Sequence, residues 1–162
     1  MNIRPAITSD TDAVVALWLL VFPEYSDSTR PQRDPRANVA RKLAFGDGLF
    51  WLAELDGRIV GTVMAGYDGH RGWIYSLGVH PGARRAGVGR ALLAEAERAL
   101  TALGCPKVNL QVFATNAGAL AFWHSVGYAR DDVVSLGRRL EGRRRDRVTV
   151  RWHRAGRVSA PG

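Results

Sequence analysis

The stretch Leu77-Gly78-Val79-His80-Pro81-Gly82-Ala83-Arg84-Arg85-Ala86-Gly87-Val88-Gly89-Arg90 runs from a β-rich segment through a glycine-bearing turn into a helix. A junction of this kind brings several backbone N–H groups into one small volume at the positive end of a helix, where a phosphate fits. Glycine at 87 and 89 lets the phosphate approach the main chain. Spacing then narrows what the phosphate belongs to. A nucleoside-triphosphate loop needs Gly-x4-Gly-Lys-Ser/Thr, but Gly82 and Gly87 are followed by Val88 and Gly89, with no lysine for the phosphate and no hydroxyl for Mg²⁺. A dinucleotide fingerprint needs Gly-x-Gly-x-x-Gly, and here Leu92 stands where the third glycine belongs. What remains is Arg84-x-x-Gly87-x-Gly89.

The elements around the junction predict a mixed α+β sheet with helices on its faces. Residues 2–8 read as a short strand, and Ser9 with Asp12 as a capping box before the apolar run 13–22. Asp34 before Pro35 starts a second helix that ends near Gly46. Two β-rich stretches, 49–55 and 58–67, flank Asp56-Gly57, a two-residue hairpin signal. Residues 73–80 form another strand, and Val88, Leu92, Ala96, Ala99 and Leu103 follow at helical spacing, closed by Gly104 and Pro106. Val108, Leu110 and Val112 alternate as a strand, and Ala119, Phe122, Trp123 and Val126 share a face of the next helix, ended by Gly127. Residues 128–135 and 147–152 read as two late strands.

With Leu-Gly-Val-His-Pro before it, the Arg84-x-x-Gly87-x-Gly89 loop resembles the GNAT superfamily of acyl-CoA-dependent N-acyltransferases. A second stretch, Asn116-Ala117-Gly118-Ala119-Leu120-Ala121-Phe122-Trp123-His124-Ser125-Val126-Gly127-Tyr128, is similar to another motif of that family. Three further stretches, residues 66–72, 104–107 and 135–140, resemble the small bacterial YpeA-type acetyltransferases. The resemblance covers roughly residues 2–140. It implies a mostly antiparallel sheet with a central parallel strand pair that splays open and helices on both faces. A single domain over residues 1–153 is expected, and outside the closest part of the resemblance a basic, flexible tail at 154–162.

The resemblance also implies acetyl transfer from acetyl-CoA, as co-substrate, to a primary amine through a tetrahedral intermediate. The main chain of Leu77, Gly78 and Val79 would meet the acetyl and pantetheine amides. The N–H groups of Arg84, Arg85, Ala86, Gly87, Val88 and Gly89 would hold the pyrophosphate, with Arg84, Arg85 and Arg90 adding charge. Asn116, Phe122 and Trp123 would touch the cofactor arm, although Asn116 also suits a plain helix start. Many relatives carry a tyrosine at the position of Trp123 to protonate the departing sulfur, and indole cannot do so. Candidate bases for the amine are Asp68, His70 and Tyr75. Histidine is the side-chain type whose ordinary pKa lies nearest neutrality, but the glycine-flanked loop of His70 also suits solvent exposure, Tyr75 better fits a core aromatic, and Asp68 a turn. Trp18, Phe22, Tyr25 and Tyr67 are expected near the acceptor, although core packing explains Trp18 equally well.

A chain of 162 residues with 46% apolar side chains is long enough for one folded core. The net charge is +8, but residues 138–162, with nine arginines against Glu141 and Asp146, carry +7 of it. The nearly neutral body argues against nucleic acid as a partner. A small-molecule or peptide amine is the expected acceptor, with the chain a monomer or homodimer. His80 and His124 have no companions at metal-ligand spacing, so no metal is expected. The lone Cys105 cannot form an internal disulfide, and the ten-residue apolar run 13–22 is too short to span a bilayer. A cytoplasmic protein is expected. Two other readings stay open: a noncatalytic CoA-binding or regulatory module, favoured by Trp123, and an RNA contact through the arginine-rich end.

Overall fold

The computed structural model describes residues 1–26 and 34–138. It divides into a unit spanning Met1–Tyr128 and a second beginning at Ala129. The first holds the helices and strands found among the described residues: β1 (Asn2–Pro5), α1 (Thr11–Val21), α2 (Pro35–Phe45), β2 (Phe50–Leu55), β3 (Arg58–Tyr67), β4 (Gly72–Val79), α3 (Val88–Ala102), β5 (Val108–Asn109) and α4 (Ala117–Ser125). The strands lie in the order β1-β2-β3-β4-β5, antiparallel except for the parallel β4–β5 pair. This is the mixed α+β sheet that the sequence predicts.

Period-two alternation assigns the two faces of the sheet. Phe50 and Leu52 of β2 pack with Val14 and Trp18 of α1 and Val39 of α2, with Met64 of β3 against the same cluster. Trp51, Ala53, Val63, Ala65 and Ile74 point the other way, onto Val88, Leu92, Leu93, Ala96 and Leu100 of α3 and Trp123 of α4. Several short-range signals act as expected. Asp34 caps α2 by accepting the Arg36 N–H at 2.9 Å, and Asp56 and Gly57 take φ +51° and +72° in the β2–β3 turn.

Three features differ from the sequence reading. Asp10, not Ser9, organises the start of α1: its carboxylate accepts from the Ile7 N–H at 2.8 Å and from Nη1 and Nη2 of Arg4, each at 2.7 Å. β5 stops at Asn109, because residues 110–113 leave β4. The expected strand 128–135 does not form. Tyr128 is held instead by α4 and α3: its N–H donates to the Trp123 carbonyl at 3.0 Å, its ring meets Trp123 edge-on, and its hydroxyl donates to Glu97 at 2.9 Å. Residues 129–138 pair with no strand among the described residues, and Val133 and Val134 are exposed. The expected strand 147–152, the tail 154–162 and all but Arg138 of the arginine-rich stretch lie outside the described residues.

Candidate active site

The site begins with a change of phase along β4. Near its start the Gly72 N–H points outward, to the Lys107 carbonyl beside β5 at 2.9 Å, so even-numbered residues turn their main chain to that edge. Just past its end the His80 N–H points inward, to the Val60 carbonyl at 2.8 Å. Alternation therefore turns Val79 and Leu77 outward. The switch from even to odd comes from one extra residue: Tyr75 pairs with Met64 but Gly78 with Thr62. Ser76 carries the strain, at φ +47°. Its carbonyl accepts from the Thr62 hydroxyl at 3.0 Å, and the same hydroxyl oxygen accepts from the Trp18 indole N–H at 2.9 Å, so a buried chain of hydrogen bonds pins the bulge.

Beyond the Trp73–Asn109 pair no strand borders this edge of β4 among the described residues. The gap is a cleft of about 830 Å³, within the size range of small-molecule sites. The main chain of β4 forms its floor, and residues 110–113 with the start of α4 form one wall. The opposite wall is the end of α1 and the turn after it, Val21 to Tyr25. That wall lies close because Gly78 has no side chain; a Cβ there would sit 2.8 Å from both Phe22 and Val21.

At one end stands the N-terminus of α3. Gly87 is its N-cap at φ +79°, with no side chain capping the first turn. The first helical bond runs from Ala91 to the Gly87 carbonyl at 3.0 Å, so the N–H groups of Val88, Gly89 and Arg90 have no acceptor within the helix. Arg85 and Gly87, both left-handed, shape the main chain before them into a concave turn. The Arg84 N–H is engaged within that turn, donating to Pro81 at 3.3 Å, and its guanidinium donates to the Val79 carbonyl at 3.3 Å. Arg90 reaches across to α4, binding the Ser125 carbonyl at 3.3 Å and hydroxyl at 3.0 Å. These donors fit a diphosphate.

Leu77, Gly78, Val79, Arg84, Arg85, Gly87, Val88, Gly89, Arg90, Asn116, Phe122 and Trp123 all line the cleft, whereas the exposed Ala86 does not. Asn116 caps α4, its Oδ1 accepting the Ala119 N–H at 3.0 Å. Trp123 is buried, edge-on to Phe122 and Tyr128.

The three candidate bases separate. Tyr75 lines the cleft, stacked on Trp73; burial, and then the nearby Asp68 carboxylate, pushes its phenol above the ordinary tyrosine range. Asp68 and His70 lie outside it, on the exposed β3–β4 turn. Asp68 Oδ1 accepts the Arg71 N–H at 2.7 Å and the His70 N–H at 2.8 Å, which hold its carboxyl below the usual range and make it a weak base. Of the expected acceptor residues, Phe22 and Tyr25 line the cleft, Trp18 is buried behind them, and Tyr67 lines no part of it. Sequence reasoning missed Glu24, a carboxylate on the α1 side of the cleft that nothing in Pro23-Glu24-Tyr25 marks as functional. No cluster of His, Cys, Asp or Glu able to hold a metal, and no helix long and apolar enough to cross a membrane, occurs among the described residues.

Comparison with known proteins agrees with this geometry. Residues 14–128 match the family model described as the acetyltransferase (GNAT) family. An acetyltransferase of Yersinia enterocolitica is 43% identical over 140 residues, covering 86% of this chain and 96% of its own length. In fold, the PaiA N-acetyltransferase of Thermoplasma acidophilum, solved with coenzyme A, superposes with a TM-score of 0.73 at 17% identity, covering 82% of this chain and 92% of its own. The ribosomal-protein-S18-alanine N-acetyltransferase of Escherichia coli superposes with a TM-score of 0.64 at 22% identity, covering 78% and 76%.

Proposed function

Because the chain belongs to the acetyltransferase (GNAT) family, we propose that it moves the acetyl group of acetyl-CoA to a primary amine by direct attack. The observation that carries this reading is the opened edge of β4, where Leu77 and Val79 present their main chain to a cleft ending at the uncapped N-terminus of α3. The pyrophosphate is held by the N–H groups of Arg85 and of Gly87 to Arg90, with the guanidinium groups of Arg84 and Arg85 adding charge. The pantetheine arm extends along β4, touching Asn116 and Phe122. An outward N–H near Val79 stabilises the oxyanion of the tetrahedral intermediate, a contribution of about 3 kcal/mol in comparable acyl-transfer sites. Holding amine and thioester together supplies most of the remaining rate. Tyr75, kept protonated by its surroundings, serves as a hydrogen-bond donor. The acceptor ammonium gives its proton to solvent before the neutral amine attacks, and collapse of the intermediate breaks the C–S bond, expelling CoA as a thiolate while the new amide nitrogen sheds its extra proton to solvent. The acceptor is a protein N-terminus, a lysine or a small amine.

A second reading, a CoA-binding module without turnover, is favoured by the buried indole at Trp123. One assay separates the two: acetyl-CoA, a thiol reporter and a panel of amines and peptides. Acceptor-dependent CoA release supports the transferase, and CoA binding without release across the panel supports the module.

A further inference from the structure

Charge is divided along the cleft. Arg84, Arg85 and Arg90 lie at the α3 end, and Glu24, on the turn that follows α1, is the single carboxylate among the described lining residues. It is only partly exposed, and none of the ion pairs among the described residues uses it. Aromatic rings share the cleft with it: Phe22 and Tyr25 on the α1 side, Trp73 and Tyr75 on β4. Phe22 meets Tyr25 edge-on at 6.1 Å and Trp73 stacks with Tyr75 at 6.5 Å, so each side of the cleft presents a pair of rings. A carboxylate among aromatic faces favours a cation.

The cation is not the attacking nitrogen. That nitrogen must be neutral when it meets the thioester, and a neutral amine gains little from a carboxylate's charge. We infer that Glu24 holds a second cationic group of the acceptor while the attacked amine stays free, so that the acceptor class is a diamine or a compound that likewise keeps one ammonium during reaction. This inference rests on the acetyl-transfer reading and extends it to the acceptor.

The test compares 1,5-diaminopentane, 1-aminopentane and 5-aminopentanoate, probes of one chain length that end in a cation, a methyl group and an anion. With wild-type protein, kcat/KM for the diamine should exceed that for the monoamine at least tenfold, and the amino acid should be the poorest. In Glu24→Gln the diamine-to-monoamine ratio should fall toward one, mainly through KM, while Glu24→Asp recovers part of it and CoA affinity is unchanged in both. A wild-type ratio near one, or a ratio untouched in Glu24→Gln, overturns the inference. So does a loss confined to kcat together with a lost acidic limb of the pH profile, which would make Glu24 the base. Calorimetry of the CoA-loaded protein with the diamine separates the two levels. Glu24-dependent binding without turnover keeps this inference and sinks acetyl transfer, turnover without Glu24 dependence does the reverse, and neither binding nor turnover of any probe sinks the inference.

Discussion

Replacing Thr62 by valine tests whether the β4 bulge organises the site. Thr62 and Trp18 are fully buried, and the Thr62 hydroxyl both accepts from the indole and donates to the Ser76 carbonyl. Valine keeps the volume and strands both partners. A buried N–H left without an acceptor costs about 1–3 kcal/mol. The half-buried Ser76 carbonyl can find water and adds less, and the new methyl group returns up to about 0.8 kcal/mol. The net loss is about 2 kcal/mol, or a fall in Tm of about 4–8 °C for a chain of this size. The functional effect follows from phase: without its tether the extra residue at Ser76 can slip, and the outward set shifts away from Leu77 and Val79. The Kd for CoA should rise about tenfold, equivalent to about 1.4 kcal/mol, while Thr62→Ser, which keeps the hydroxyl, stays within about twofold. Thermal unfolding and calorimetry read the two effects. A Thr62→Val protein with unchanged Tm and unchanged CoA affinity would refute the argument that this chain of hydrogen bonds holds the bulge.

Three other perturbations follow from the same structure. Arg4→Met leaves the largely buried Asp10 carboxylate without its paired donors and should cost about 2 kcal/mol in urea unfolding, less than a fully buried pair because Arg4 is partly exposed. The Arg4 fork holds the Asp10 carboxyl below its ordinary 3.8, so its stabilisation is present above about pH 4 and lost as pH falls further; the variant should show a flatter acid limb. Gly78→Val would drive side-chain atoms into Phe22 and Val21, costing about 1–3 kcal/mol and displacing the wall proposed to border the acceptor, seen as a raised KM for amine. Tyr75 remains a phenol above the ordinary tyrosine range, so kcat/KM should climb with pH as the acceptor loses its proton and show no fall from tyrosine ionisation below about pH 10. Tyr75→Phe should lower the rate without changing the shape of that profile.

What could be read from the chain and what could not divides by the range of the interactions involved. The Asp56-Gly57 turn, the Asp34 cap and the Gly87 start of α3 are each set by backbone preferences within a few residues, so their sequence signals suffice. The bulge at Ser76 carries no such mark, since serine does not favour φ +47° by itself and the restraint comes from Thr62 and from Trp18, 44 residues from Thr62 in sequence. Residues 128–135 have the composition of a strand, but a strand exists only with a neighbour, and Tyr128 is drawn into contacts with Trp123 and Glu97 that outweigh its β preference. The candidate site divides in the same way. The end proposed for the phosphates is legible because a helix N-terminus with glycines is a local device. The end proposed for the acceptor is lined by Val21 to Tyr25 on one side and Trp73 to Tyr75 on the other, with Phe22 and Val21 able to approach β4 because Gly78 has no side chain. The role proposed for Glu24 comes only from that meeting, since Glu24 is distant in sequence from the Arg84–Arg90 loop and from the Asn116–Trp123 stretch and lies on the same cleft as both.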